Sequence, residues 1–249
     1  MSPTLTIAGR FNGPASSGNG GWTAGALAGA ARGLTGWTGD VTVQLRRPPP
    51  LDRPLEVVDT GQGVELRDGD DVVAVAVTAD DLTWAPPKFV DPATARAAEA
   101  TYAGHRSHPF PRCFACGPDR DDGLGIFPGR VDEDRVAATW TPDRSLTGGS
   151  TLSGPAVTEP VTWAALDCVS AWSSDLEHRP LVLASMTARI QSPPQAGTAY
   201  VVVGTTQRIE GRKTWTASAL YDDTGLLLAQ AQHLWIAIDP SVVKQLQEG

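Results

Sequence analysis

Three groups of residues have the types and spacing to do chemistry. The stretch FNGPASSGNGGWTAGALAGAARGL, Phe11 to Leu34, is a glycine-rich turn that runs into an alanine-rich segment. A helix starting there offers free backbone N–H groups and the positive end of its dipole, which would hold a phosphate, a carboxylate or a polarised carbonyl oxygen. The second group is the CxxC of HRSHPFPRCFACGPDRDDG, with Cys113 and Cys116 preceded by His105 and His108. A zinc knuckle would use two His and two Cys. Here, however, no helix-length spacer separates the pairs, and prolines stiffen the path between them. The expectation is therefore an ordered loop with small thiols packed inward and no bound metal, since no further ligand lies nearby in sequence. The third group is Arg46 and Arg47 in QLRRPPP, either an anion-binding pair or a solvated strand end.

Composition removes several function classes. With 249 residues and 41 % hydrophobic content, the chain can bury one large core or two small ones. A formal charge of −8 disfavours attraction to nucleic acid or anionic membrane, which needs a basic face. No apolar run approaches the ~18 residues of a membrane span. The opening MSPTLTIAGR has neither a charged n-region nor a long apolar h-region, so a cytoplasmic protein is expected. Three cysteines, Cys113, Cys116 and Cys168, fit a reducing compartment better than a disulfide framework. A serine hydrolase is disfavoured because no GxSxG elbow occurs. A nucleotide site is disfavoured because GNGGWTAG lacks both a Walker lysine and GxGxxG spacing.

The elements that must position these groups occur twice. After the first helix comes VTVQLRRPPPLDRPLEVVDTGQGVELRDGDDVVAVAVTA, which alternates apolar and polar residues between turns, as antiparallel strands do. TEPVTWAALDCVSAWSSD reads as a second helix, with Thr158 as cap, Pro160 in its first turn and an apolar face through Trp163, Leu166 and Ala171. Strand patterns follow again, and QLRRPP matches RIQSPP while RDGDDVVAVAV matches YDDTGLLLAQA. A helix followed by three or four strands, written twice, is an internal duplication. Units are expected at 1–84 and 124–249, joined by a linker at 85–123 that holds a short helix from about Pro92, capped by Asp91, and the CxxC loop. Helices packed on antiparallel sheets without βα alternation make the class α+β.

FNGPASSGNGGWTAGALAGAARG, PRCFACGPDRDDGLGIFPG and VTWAALDCVSAW, in that order over most of the chain, resemble the double-hotdog proteins of actinobacteria related to acyl-CoA thioesterases. The resemblance implies a tandem hotdog fold, with two central helices each wrapped by an antiparallel sheet and the sheets joined edge to edge. It also implies a Gly-Gly turn whose N–H groups hold the thioester oxygen, and an acid two turns along the helix. The first helix keeps Gly20 and Gly21, but seven residues on it has Ala28. The second replaces the pair with Glu159 and Pro160 and has Asp167 at the acid position. The two losses are complementary, which implies one complete site across the interface between the units and one dead site. Fixed N–H donors stabilise an oxyanion without reorganising, and a carboxylate inside WAALDCV is costly to bury without a purpose or partner.

The expected function is hydrolysis of an acyl-CoA or acyl-carrier-protein thioester. Asp167 would be the base, Gly20 and Gly21 the oxyanion hole, and Asn19 either a cap or an orienting group. Arg46 and Arg47 would meet the phosphates, and Trp22 and Trp163 would line an aromatic tunnel. No cofactor is expected. The chain would be a monomeric pseudo-dimer or a homodimer of double hotdogs. The alternative is a non-catalytic acyl-thioester binder or assembly protein in which Asp167 is structural. A hotdog dehydratase would place a His with its acid, whereas His105 and His108 lie in the linker, His178 after the second helix and His233 on the last strand.

Overall fold

The computed structural model describes residues 3–79, 81–151 and 154–248. The first half gives β1 (Thr4–Thr6), α1 (Gly20–Thr35), β2 (Val41–Leu45), β3 (Pro54–Asp59), β4 (Val64–Asp68) and β5 (Asp71–Thr78). The connecting segment holds α2 (Pro92–Ala98), started by the Asp91 side chain, which accepts the Thr94 N–H. The second half gives β6 (Gly129–Arg130), β7 (Arg135–Trp140), the hairpin of β8 (Thr147–Thr151) and β9 (Gly154–Val157), and α3 (Glu159–Trp172). Four long strands follow, β10 (Leu181–Ile190), β11 (Tyr200–Glu210), β12 (Lys213–Asp222) and β13 (Leu227–Ala237), and then α4 (Pro240–Glu248).

Among the described residues, eleven strands form one sheet in the order β1-β3-β4-β5-β2-β10-β13-β12-β11-β7-β6, antiparallel throughout. The two halves meet at β2 and β10, where Met186 lies opposite Val43 and the Thr42 and Thr187 hydroxyls bond at 2.7 Å. Arg189 clasps Asp40 at the end of this joint. Edge-to-edge joining of two helix-on-sheet units is the architecture that the duplication implies.

The two central helices lie antiparallel inside the sheet, and glycine sets how closely they pack. Gly21, Gly25 and Gly29 recur every fourth residue, on one face of α1. A Cβ on Gly21 would fall 2.5 Å from Asp167 Cβ, one on Gly25 2.7 Å from Trp163 Cγ, and one on Gly29 3.5 Å from a Glu159 oxygen. Going up α1, the partners thus run down α3. Gly25→Ala is expected to destabilise the protein by about 1–3 kcal/mol, because backbone at Pro160 Cα, 2.8 Å from the added carbon, must move. Gly33→Ala meets nothing within 4 Å and should stabilise by about 1 kcal/mol through helix propensity. Urea melts check the pair, and equal midpoints would contradict this packing.

Candidate functional site

The start of α1 and the middle of α3 meet at a cavity of about 380 Å³, bordered by Asn19, Gly20, Cys113, Asp167 and Cys168. Asn19 is both cap and site residue. Its Oδ1 accepts the Trp22 N–H at 2.8 Å, and its Nδ2 donates to Asp167 Oδ2 at 3.1 Å. The Gly21 N–H donates to the same Oδ2 at 2.9 Å. This corrects the expected pair of oxyanion donors, because the Gly21 amide is taken by the carboxylate that crosses it. The Gly20 N–H, first in the helix, has no intrahelical acceptor.

Asp167 is 2 % exposed, and its Oδ1 has no hydrogen-bond partner among the described residues. Burial pushes its pKa up to about 7, against the opposing bond from Gly21. One oxygen is therefore clamped by two donors from the other half of the chain, and the other is left over.

Arg46 and Arg47 border the cavity, as does Arg212, which the sequence patterns did not single out. Arg47 pairs with Asp71 at 2.7 Å, whereas Arg46 bonds to the neutral amide of Gln44. The two tryptophans do not line the cavity, contrary to expectation. Trp22 stacks on Phe11 at 4.4 Å, and Trp163 is fully buried where α3 crosses Gly25. The outer wall includes Val242 and Leu246 of α4, held down where Ser16 Oγ donates to the Leu246 carbonyl at 2.9 Å. An apolar pair at i, i+4 was the available signal for this helix.

The mirror position in the duplication carries different chemistry. A cavity of about 450 Å³ opens at the start of α3, beside Val157, Glu159 and the end of β10. Here Glu159 pairs with Arg32, Pro160 has no N–H to give, and Ala28 lies fully buried where the first site has Asp167.

The loop thiols are not isolated. Cys168 of α3 brings its Sγ to 3.6 Å from that of Cys113, so a third sulfur joins the CxxC. His108 Nε2 lies 3.4 Å from Cys116 Sγ. The ground for expecting no metal, that nothing else supplies ligands, fails in three dimensions.

His233 lies outside this cavity, buried on β13, where burial pushes its pKa down to about 3 from 6.5. Both folded and unfolded states hold it neutral above pH 6.5. Below that the unfolded chain takes a proton that the folded one refuses. Stability is thus expected to fall by about 1.4 kcal/mol per pH unit from this group as pH drops from about 6 towards 3. The raised Asp167 carboxyl contributes an opposing slope over the same range, so the His233 contribution is read as a difference. Denaturant titrations at pH 7, 5 and 4 should give parent and His233→Phe slopes that differ by that amount, and equal slopes would refute it.

No family model matches the chain, and no curated protein matches its sequence. Among solved structures it is similar to the tesB protein of Mycobacterium avium subsp. paratuberculosis, at 16 % identity over 95 % of this chain and 91 % of that one, with a TM-score of 0.58. It is also similar to a hot dog fold protein of unknown function from Alicyclobacillus acidocaldarius, at 13 % identity over 95 % and 93 %, with a TM-score of 0.61. A candidate thioesterase from Novosphingobium aromaticivorans gives 14 % identity over 95 % of both chains and a TM-score of 0.60. These likenesses show the fold, an α+β double hotdog over nearly the whole chain. No helix among the described residues is long and apolar enough to cross a membrane.

Proposed function

We propose that this protein hydrolyses an acyl thioester at one composite site, built from the α1 turn of the first unit (1–84) and Asp167 of the second (124–249). The observation that carries the proposal is the divided carboxylate. Asp167 Oδ2 is fixed by the Gly21 and Asn19 N–H donors, while Oδ1 has no partner among the described residues. A buried acceptor left open in this way is costly unless a ligand or water uses it.

In the proposed reaction, Asp167 takes a proton from water as the water oxygen bonds to the acyl carbon. The carbonyl oxygen becomes an oxyanion facing the Gly20 N–H. The carbon–sulfur bond then breaks, the leaving thiolate takes the proton that Asp167 accepted from water, and a carboxylic acid and a free thiol result. Gly21 holds the base, and so supports the oxyanion step indirectly through the closeness of the two helices. Arg46, which has no carboxylate partner among the described residues, would meet the phosphates of a coenzyme A or phosphopantetheine carrier. TesB and candidate-thioesterase neighbours support the substrate class through the shared fold.

A non-catalytic binder is the second reading, favoured by the same Gly21 bond, since a carboxylate capping a helix start is also a structural device. A free-thiol release assay over short, long and aromatic acyl-CoAs separates the two. Turnover of at least one of them supports hydrolysis. Saturable binding with no thiol release leaves the binder.

A further inference from the structure

Cys113 and Cys116 come from the connecting loop and Cys168 from α3, and their three Sγ atoms lie within 4.8 Å of one another. Thiolates at about 2.3 Å from a tetrahedral zinc stand about 3.8 Å apart. The Cys113–Cys168 separation of 3.6 Å is already at that spacing, and Cys116 Sγ lies within 4.8 Å of both.

Hydrogen-bond donors face the sulfurs. His108 Nδ1 accepts the Phe110 N–H at 2.9 Å, which leaves the ring proton on Nε2, aimed at Cys116 Sγ 3.4 Å away. Asn19 Nδ2 approaches Cys113 Sγ at 3.7 Å and Cys168 Sγ at 4.0 Å. Two N–H donors thus face the sulfurs from two different elements. Such donors suit metal-bound thiolates, whose negative charge they spread, although Asn19 also gives its amide hydrogen to Asp167 at 3.1 Å.

We propose that Cys113, Cys116 and Cys168 form a three-thiolate site for one zinc ion, with His108 as a positioning residue that donates to Cys116 from outside the coordination shell. Cys113 and Cys168 border the cavity, so the fourth ligand comes from that side, as water or a small thiol. The ion ties the connecting loop to α3 at the residue after Asp167. Three thiolates and a divalent cation are a soft donor set and a thiophilic metal, so hard cations such as Mg²⁺ are not expected to compete.

The test is metal binding by the full chain, independent of any thioesterase assay. Reduced, chelator-stripped protein is titrated anaerobically with Zn²⁺ against a chromophoric competitor, and with Co²⁺ as an optical probe. The expected result is about one equivalent per chain, with an intense sulfur-to-cobalt charge-transfer band and all three thiols shielded from a disulfide reagent. His108→Ala should weaken zinc binding ~10–100-fold. Cys168→Ser should weaken it at least as much while leaving the CxxC intact, with far-ultraviolet circular dichroism confirming the fold. No zinc uptake by the reduced parent overturns the site. So does unchanged affinity in Cys168→Ser, which would leave binding to the CxxC alone. Should Cys168→Ser unfold, the parent's cobalt spectrum decides: no charge-transfer band at one equivalent refutes the proposal.

Discussion

Asp167→Asn is expected to lower acyl-CoA turnover by ~10²-fold or more while leaving ligand affinity within a few-fold of the parent. Asparagine keeps the size of the side chain and one carbonyl oxygen, which can still accept the Gly21 N–H that now meets Oδ2 at 2.9 Å. What it loses is the ability to take a proton from water. The helix crossing should therefore survive and the chemical step should not. Thiol release measured beside equilibrium binding of a non-hydrolysable thioester analogue checks the split. A variant as fast as the parent would sink the catalytic reading and leave the binder. The reciprocal change, Ala28→Asp, does not build a second site. Ala28 is fully buried and the facing helix start carries Pro160, so the new carboxylate would lack the amide donor that Asp167 has.

Gly20→Pro is expected to lower turnover by ~10²-fold, the usual cost of one oxyanion donor, with the fold retained. Gly20 is the first residue of α1, where proline is compatible with helix geometry and removes only a hydrogen that has no intrahelical acceptor. Asn19, at φ −59° and ψ 132°, already has the extended conformation that a following proline requires. The ring will press on Leu183, whose Cδ2 and Cβ lie 2.9 and 3.0 Å from an added Cβ, and on Leu45 Cδ1 at 3.1 Å. A Gly20→Ala control therefore carries the Cβ contacts and keeps the N–H. Equal rates for the proline and alanine variants would show that this amide takes no part. Gly21→Val is a poor probe of the same step. Its Cβ would sit 2.5 Å from Asp167 Cβ and 2.9 Å from the Trp163 carbonyl oxygen, so it would push the helices apart rather than remove a donor.

Much of this arrangement is legible in the sequence because it is local or periodic. Strand alternation and paired prolines mark the repeat, and the Asn19 and Asp91 caps mark two helix starts. An aspartate inside WAALDCV stands out because a buried charge needs a reason. The resemblance then aligned Gly20–Gly21 with Asp167. The spacing of Gly21, Gly25 and Gly29 also carries a signal of helix–helix contact, one obscured by reading the glycines for their amides alone.

What only the tertiary structure decided is which partner each of these groups receives. Gly21 and Asp167 are 146 residues apart, and the bond between them exists because two antiparallel helices cross with no side chain between them. The same crossing buries Trp163 and, with the loop folded over it, brings Cys168 to Cys113, so a thiol distant in sequence joins the CxxC. Side-chain period and capping are written in neighbouring residues. The assignment of hydrogen-bond donors and sulfur contacts depends on how whole elements dock, and a shift of a single helical turn would give every one of these groups a different partner.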